Sequence, residues 1–253
     1  EIRSCDWSSD VCSSDLTLPR YCPGMNRMIR YAVYFAPRPG AFADRAAAWL
    51  GRDAATGRVL PQPDLPGLPR PAASLTVDPR RYGFHGTLRA PFRLAEGVSL
   101  DAVGRCVAAL AARLAPVSCE GLGLEDLHGF LALTPIGCEA ALLELAAAVV
   151  EGTDPLRATL TGAEIARRRP ETLSSRQRHL LDRWGYPFVM EEFRFHLTLT
   201  DRLTPAEAAP VAAVLKQHFA PVLPRPFAIE DLCLFGEDEE RGFHLLRRYP
   251  LSG

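Results

Sequence analysis

The sequence predicts an α+β fold made of two similar lobes related by a pseudo-twofold axis. Three observations lead there. Short runs of β-branched and aromatic residues alternate along the chain with longer stretches of helical composition. One set of landmarks occurs twice: Ala115-Pro116-Val117 and Ala220-Pro221-Val222 are each followed, ten residues on, by Glu-Asp-Leu starting at Glu125 and Glu230. The segment Phe84-His85-Gly86-Thr87-Leu88 reappears as Phe195-His196-Leu197-Thr198-Leu199 at the head of each copy. A shared register of this kind marks a duplicated supersecondary unit.

Residues 1–27 read as a non-native or disordered tail, because Glu1 to Leu16 resembles a translated sequencing adapter and has neither helical nor strand periodicity. Translation is expected to begin at Met25 or Met28. One two-lobed domain then covers 28–253, with the first lobe at about 74–135 and the second at about 190–250. Residues 29–35 open it as a strand, and 42–50 form a short helix. The stretch 57–71, dense in Pro and Gly, is a loop whose length suggests a lid or a disordered segment. Strand 84–92 leads to a helix over 100–114 with Ser99 as its N-cap, then to strands 117–124 and 130–133. The apolar content of 140–150 predicts a helix, and so does 173–184, which starts near Thr172 or Ser174 and carries Arg176, Arg178 and Arg183. Strand 193–200 precedes a helix over 205–219, with Thr204 as N-cap and Pro205 at the first helical position. Strands 227–235 and 243–249 close the chain.

Both halves therefore run histidine strand, helix, strand, strand, with Gly129-Phe130 and Gly242-Phe243 opening the last strand of each. Thirty residues separate His85 from Ala115 and twenty-four separate His196 from Ala220. The difference of six falls before the end of each helix, where a surface loop tolerates it.

Composition narrows the function by exclusion. The 253 residues carry a formal net charge of −1, so no general field draws the chain to nucleic acid or membrane, and any anion site must be a local cluster of Arg. No apolar run approaches the roughly 18 residues of a membrane span, and the N-terminus lacks the order of a signal peptide, so a cytoplasmic protein is expected. The seven Cys are odd in number and show neither a C-x-x-C pair nor a metal-type spacing. They predict neither a disulfide framework nor a zinc site, and Cys106, Cys119, Cys138 and Cys233 read as small core residues.

The chemistry lies in the repeated segment. Side chains at i and i+2 of a strand share a face, so His85 projects with Thr87, and His196 with Thr198. Arg89 extends the first row, and Arg194 and Thr200 the second. Lobes packed about a pseudo-twofold would bring the rows to one cleft. Such a set suits a phosphodiester. One imidazole can activate water while the other protonates the leaving alkoxide; the hydroxyls can donate to non-bridging oxygens, and Arg can balance the charge that builds on phosphorus. No metal or other cofactor is then required, and the expected substrate is a strained five-membered cyclic phosphate or an ester carrying its own neighbouring hydroxyl. Chance supplies only about 0.3 His-x-Thr triplets in a chain with 6 His and 12 Thr, and here two stand at equivalent points of a repeat.

The run Arg81-Tyr82-Gly83-Phe84-His85-Gly86-Thr87-Leu88, taken with Phe193-Arg194-Phe195-His196-Leu197-Thr198-Leu199-Thr200, resembles the two-histidine (2H) phosphoesterase superfamily. Residues 28–37 and Leu181-Asp182-Arg183-Trp184-Gly185-Tyr186-Pro187 are similar to a bacterial branch of unknown specificity labelled as phosphonate metabolism proteins. The likeness covers nearly all of the chain after Met28. It implies an α+β fold in which the antiparallel sheets of two lobes line a central cleft with helices outside. It also implies hydrolysis of 2',3'- or 1,2-type ribose cyclic phosphates or reversible joining of RNA ends. His85 and His196 would be the acid/base pair, with Thr87 and Thr198 on the phosphate. The expected partner is a small phosphorylated ribose or nucleotide, an RNA end being the alternative, and the expected state is a monomer. Asp201 stands where related sequences are expected to carry Gly.

Tyr82, just ahead of the first histidine, reads equally as a substrate contact or a packing residue. The run Arg167-Arg168-Arg169 reads as a solvated loop rather than a binding site, with substrate contact from beside the second lobe as the alternative. His128, His179, His218 and His244 lack a Thr partner and read as structural. Against the cyclic phosphodiesterase stand two other functions. RNA end processing would need a basic track that the net charge does not advertise, and a nucleotide-binding module without turnover would not need both intact motifs.

Overall fold

The computed structural model describes residues 27–253, and the expectations made for residues 1–26 lie outside that range. Strand β1 (Met28–Phe35) leads into helix α1 (Ala41–Leu50), the short helices α2 (Ala72–Leu75) and α3 (Val77–Tyr82), and strand β2 (Gly86–Phe92). Helix α4 (Leu100–Ala111), strands β3 (Val117–Cys119), β4 (Gly121–Asp126) and β5 (Leu131–Ile136), and helix α5 (Glu139–Thr153) follow. Helices α6 (Gly162–Arg167) and α7 (Ser175–Trp184), strand β6 (Leu197–Thr198) and helix α8 (Pro205–Phe219) come next. Strands β7 (Phe227–Ile229), β8 (Asp231–Asp238) and β9 (Phe243–Pro250) end the chain.

The fold is α+β, with an antiparallel seven-stranded sheet in the order β4-β5-β6-β2-β1-β8-β9 and a separate antiparallel pair, β3 with β7. Exchanging β1 with β5, β2 with β6 and β4 with β8 returns the same order read backwards, which is a pseudo-twofold between β6 and β2 with β9 added at one edge. The landmark strands β3 and β7 meet across the same relation, Ser118 opposite Ala228. The spatial repeat begins one strand earlier than the sequence landmarks suggest, because β1 rather than β9 takes the place beside β2 that β5 takes beside β6. The copies are interleaved: β4 of the first pairs with β5, and β8 of the second pairs with β1.

One face of the sheet carries the helices. Trp49, Val107, Leu145, Val211 and Phe219 from α1, α4, α5 and α8 pack with Val33, Phe35, Leu88, Leu197 and Leu234 in the main core. Alternation along β1 sends Ala32 and Tyr34 to the opposite face, into a smaller cluster with Cys233, Phe235 and Phe243. That opposite face bears the site described below.

Several expectations are corrected. The strand read over 193–200 shrinks to two residues: a 3-10 turn at Met190–Glu192 precedes it, and only Leu197 and Thr198 have strand partners. Helices α2, α3 and α6 arise in stretches that show no helical periodicity. The loop over 57–71 is a pinned strap, since the Gln62 side chain donates to the Trp49 carbonyl (2.6 Å) and to Thr76 Oγ1 (2.9 Å), while Leu65 and Leu68 pack on the core. Cys119 and Cys138 form a disulfide with a Cα separation of 5.0 Å. The β4-β5 hairpin sets Gly121 opposite Ile136 and so brings the two cysteines together, something their spacing in sequence does not announce. Cys106 and Cys233 are free. Ser99 and Ser174 cap α4 and α7 through their hydroxyls, as expected. Among the described residues no helix is long and apolar enough to cross a membrane.

Candidate active site

The two histidine segments meet at the pseudo-twofold. Gly86 of β2 is paired with Leu197 of β6. In antiparallel register that pairing sets His85 across from Thr198 and Thr87 across from His196. The four side chains form a square on the face away from the helices, with the two histidines on one diagonal, and all four line a cleft of about 420 Å³. Gly86 is required by its neighbour: a Cβ there would lie 2.2 Å from Phe195 Cζ, so the absent side chain lets Phe195 cover the strand crossing.

Both imidazoles are held in the same way. His85 Nδ1 lies 3.0 Å from the Gly83 carbonyl and His196 Nδ1 2.8 Å from the Arg194 carbonyl. A carbonyl only accepts, so each Nδ1 carries hydrogen and each neutral ring presents an unprotonated Nε2 to the cleft. Thr87 Oγ1 stands 3.3 Å from His85 Nε2, a donor to that lone pair.

The surroundings then differ. Tyr34 lies opposite Thr87, and its ring stacks on His85 at 3.8 Å between centroids with 24° between planes. The equivalent position opposite Thr198 is Ala132, so no ring covers His196 in that way. Phe130 lies to its side at 5.7 Å. Burial pushes the His85 pKa down to about 4, with His196 adding a smaller push in the same direction. Burial also lowers the pKa of His196, against the bond to the Arg194 carbonyl that raises it. Both histidines are therefore neutral near pH 7.

Tyr82 joins the cleft wall, edge-on to His85 at 5.3 Å, and burial raises its phenol pKa. It sits at the end of α3, and Asp201 explains how that helix is placed. The Asp201 carboxylate accepts from the backbone N–H of Val77 (2.7 Å) and Asp78 (3.0 Å), capping α3 from the strand exit of the second copy.

Arg89 and Arg194 do not join the cleft. The register between β1 and β2 shifts between the pairs Val33–Arg89 and Tyr34–Thr87, so a bulge breaks the i, i+2 parity after Thr87, and Ala90 rather than Arg89 continues the cleft wall. Arg89 is 2% exposed and bonds Asp154 at 3.2 Å beside the Phe92 ring, and burial pushes it down to about 10. Arg194 contributes its carbonyl, while its side chain is exposed and lies outside the cleft wall. Thr200 is also structural, accepting from Leu131 N–H at 2.9 Å.

Other side chains line the cleft without having been singled out for it: Tyr34 and Arg30 of β1, Tyr186, Glu237 and Arg241. Tyr34 was visible only as a strand residue, because its place beside His85 depends on cross-strand register. Arg168 is the member of the triple-arginine run that reaches the cleft, stacked on Tyr186 at 4.8 Å, whereas Arg167 and Arg169 are exposed. Among the described residues no group of three His, Cys, Asp or Glu is placed to hold a metal ion.

Comparison with known proteins adds the following. A family model described as a protein of unknown function, DUF1045, matches residues 87–244. A Janthinobacterium sp. (strain Marseille) protein named Ribose 1,5-bisphosphate phosphokinase PhnN is 40% identical over 233 residues, 89% of this chain and 51% of that protein. The protein of the same name from Laribacter hongkongensis (strain HLHK9) is 40% identical over 215 residues, 83% of this chain and 49% of its own length. The chain thus spans about half the length of the curated relatives it matches. Among solved structures, E. coli LigT complexed with 3'-AMP is similar with 14% identity and a TM-score of 0.40, covering 90% of this chain and 100% of that one. TT0787 of Thermus thermophilus is similar with 17% identity and a TM-score of 0.43, covering 89% and 99%.

Proposed function

The chain belongs to the DUF1045 family, and from that premise we propose that it is a phosphoesterase that opens a ribose or nucleotide cyclic phosphate without a metal, using His85 and His196 as the acid/base pair. The observation that carries this reading is the cross-strand square in which each histidine faces the other motif's threonine. A phosphate centred on the square has an imidazole Nε2 on either side and two hydroxyls beneath it, the arrangement that in-line displacement needs.

In the reaction as we read it, His85 is the base. Its Nε2 carries the lone pair, and Tyr34 keeps the ring dry enough to stay neutral. Water attacks phosphorus and gives its proton to His85 Nε2; the ester bond to one ring oxygen breaks, and His196 Nε2–H protonates that oxygen. The product is a phosphate monoester with a free hydroxyl. His196 takes the acid role because the anionic diester raises its pKa on binding and it is less deeply buried than His85, so desolvation opposes its charged form less. Thr87 and Thr198 donate to the non-bridging oxygens, so the Thr87 hydroxyl turns from His85 to the phosphate. The carbonyls of Gly83 and Arg194 hold each Nδ1–H through the cycle and stabilise the imidazolium when it forms.

A strained five-membered ring is the substrate that this equipment suits, because relief of strain lowers part of the barrier that a metal would otherwise lower. A phosphorylated ribose accords with the name of the relatives, which this chain matches over about half their length. The test is a turnover screen of 2',3'-cyclic mononucleotides and ribose cyclic phosphates with excess chelator. Hydrolysis to a single monoester is expected; activity that the chelator abolishes, or none with any cyclic phosphate, contradicts the proposal.

A further inference from the structure

We propose that the arginine-lined recess adjoining the histidine cleft is a second anion site, which takes a terminal phosphate of the substrate, so that the preferred substrate is a cyclic phosphate carrying another phosphoryl group one sugar away. The inference rests on reading the cleft as a phosphodiesterase site and deepens it.

The recess is a cavity of about 250 Å³ whose wall carries Arg30, Arg93, Arg157, Arg167, Arg168 and Arg241 and, as its one carboxylate, Glu164. Some of this charge is already matched. Arg93 holds Glu164 through two bonds of 2.9 Å, Arg157 bonds Asp154 at 3.1 Å, and Arg30 pairs with Glu237. Asp154 is itself shared with Arg89 and Arg183. Arg167 and Arg168 have no carboxylate partner among the described residues. An arginine aimed into a concave wall without a carboxylate is a poor device for stability but a suitable one for a phosphate, whose oxygens match the guanidinium fork. The Arg168 plane is already held by the Tyr186 ring at 4.8 Å, which lowers the ordering cost of using it.

The recess adjoins the cleft, the two sharing Arg30, Pro91, Arg168 and Arg241 as wall. Arg30 and Tyr34 lie on the same face of β1, four residues apart, which is roughly 13 Å between Cα atoms. Tyr34 is stacked on His85, so β1 acts as a ruler between the reacting phosphorus and the recess. The buried Glu237 of β8 anchors Arg30 and lies 4.0 Å from the mostly exposed Arg241. Burial, and then the neighbouring Arg30 and Arg167, push the Arg168 guanidinium pKa down, a crowding that a bound anion would relieve.

The experiment compares matched substrates: adenosine 2',3'-cyclic phosphate against its 5'-phosphate, and ribose 1,2-cyclic phosphate against its 5-phosphate, each with the wild type, Arg167→Gln and Arg168→Gln. In parallel, calorimetry measures binding of ribose 5-phosphate, which has no ring to open. The second phosphate is expected to raise kcat/KM by about 10- to 100-fold. Arg167→Gln, at an exposed position outside the cleft wall, is expected to remove much of that gain while leaving turnover of the singly phosphorylated partner unchanged. Equal kcat/KM within each pair, with both turned over, would overturn the second site alone. Failure of every cyclic phosphate, with ribose 5-phosphate still bound in an Arg167-dependent way, would sink the cleft reading and support the recess.

Discussion

Gly86→Ala is the substitution that most directly probes the join between the two histidine segments. The added Cβ would lie 2.2 Å from Phe195 Cζ, 2.5 Å from Cε2 and 2.9 Å from Cε1. Ordinary contact begins near 3.4 Å, so the ring must retreat by about 1.2 Å. It has little room: Phe195 is 7% exposed and lies 6.1 Å from Phe35 and 6.3 Å from Phe227, centroid to centroid, while its own backbone leads into His196. Overpacking of this size costs about 1–3 kcal/mol, and the upper half of that range is expected here. Urea unfolding should report a loss of about 2–3 kcal/mol, and heating a Tm lower by about 4–12 °C for a domain of this length. Because the displaced ring belongs to the residue before His196, kcat should fall as well. Phe195→Leu in the Gly86→Ala background should recover part of both losses, with a coupling of about 1 kcal/mol or more. Wild-type stability and kcat in Gly86→Ala would refute the reasoning, since the two motifs would then not be in contact at that crossing.

Four further outcomes follow from the site. With His85 pushed down to about 4 and His196 also lowered, kcat/KM should peak between pH 4 and 6.5 and fall as pH rises through neutrality; a peak above pH 7 would contradict this. Over the same window stability should fall on acidification, because below pH 6.5 the unfolded chain binds a proton on His85 that the folded chain refuses until pH nears 4, and the lowered pKa of His196 acts in the same direction. Tyr34→Ala, which makes the first copy like the second at Ala132, should move the acid limb of kcat/KM to higher pH at a stability cost of about 3–5 kcal/mol, and an unmoved limb would show that the stacked ring does not set the His85 pKa. Arg89→Met should leave kcat/KM within about twofold and stability within about 1 kcal/mol, since Asp154 keeps Arg157 and Arg183 as partners and a buried guanidinium with two unpaired nitrogens is removed, whereas a large loss of activity would return Arg89 to the cleft.

The parts of this fold that sequence made legible are those set by local periodicity. The doubled landmarks announced a pseudo-twofold because a duplicated unit keeps its turn and cap residues, and Ser99 and Ser174 announced helix starts because capping is a property of a few adjacent residues. The meeting of the two His-x-Thr pairs was legible for the same reason: the i, i+2 rule holds over three residues whatever the tertiary context. What failed needed knowledge of partners. A bulge after Thr87 carried Arg89 to the other face, and a strand of only two residues left the Arg194 side chain in solvent. Tyr34, whose ring stacks on His85 at 3.8 Å, is placed by cross-strand register alone. The Cys119–Cys138 bond depends on the β4-β5 hairpin. Asp201, read only as a departure from an expected Gly, caps α3 from 123 residues away in sequence; Asp201→Ala should cost about 1 kcal/mol by urea unfolding.

The central claim is that His85 and His196 work as one acid/base unit on a single phosphodiester. Its most direct test is single-turnover hydrolysis of whichever cyclic phosphate the screen selects, followed by phosphorus NMR in chelator, for His85→Ala, His196→Ala and the double variant. Groups that act in the same step are strongly non-additive, so each single change should reduce the rate by about 10² to 10⁴ and the double change by little more. Losses that multiply in the double variant, or a single variant that keeps the wild-type rate, would contradict the account.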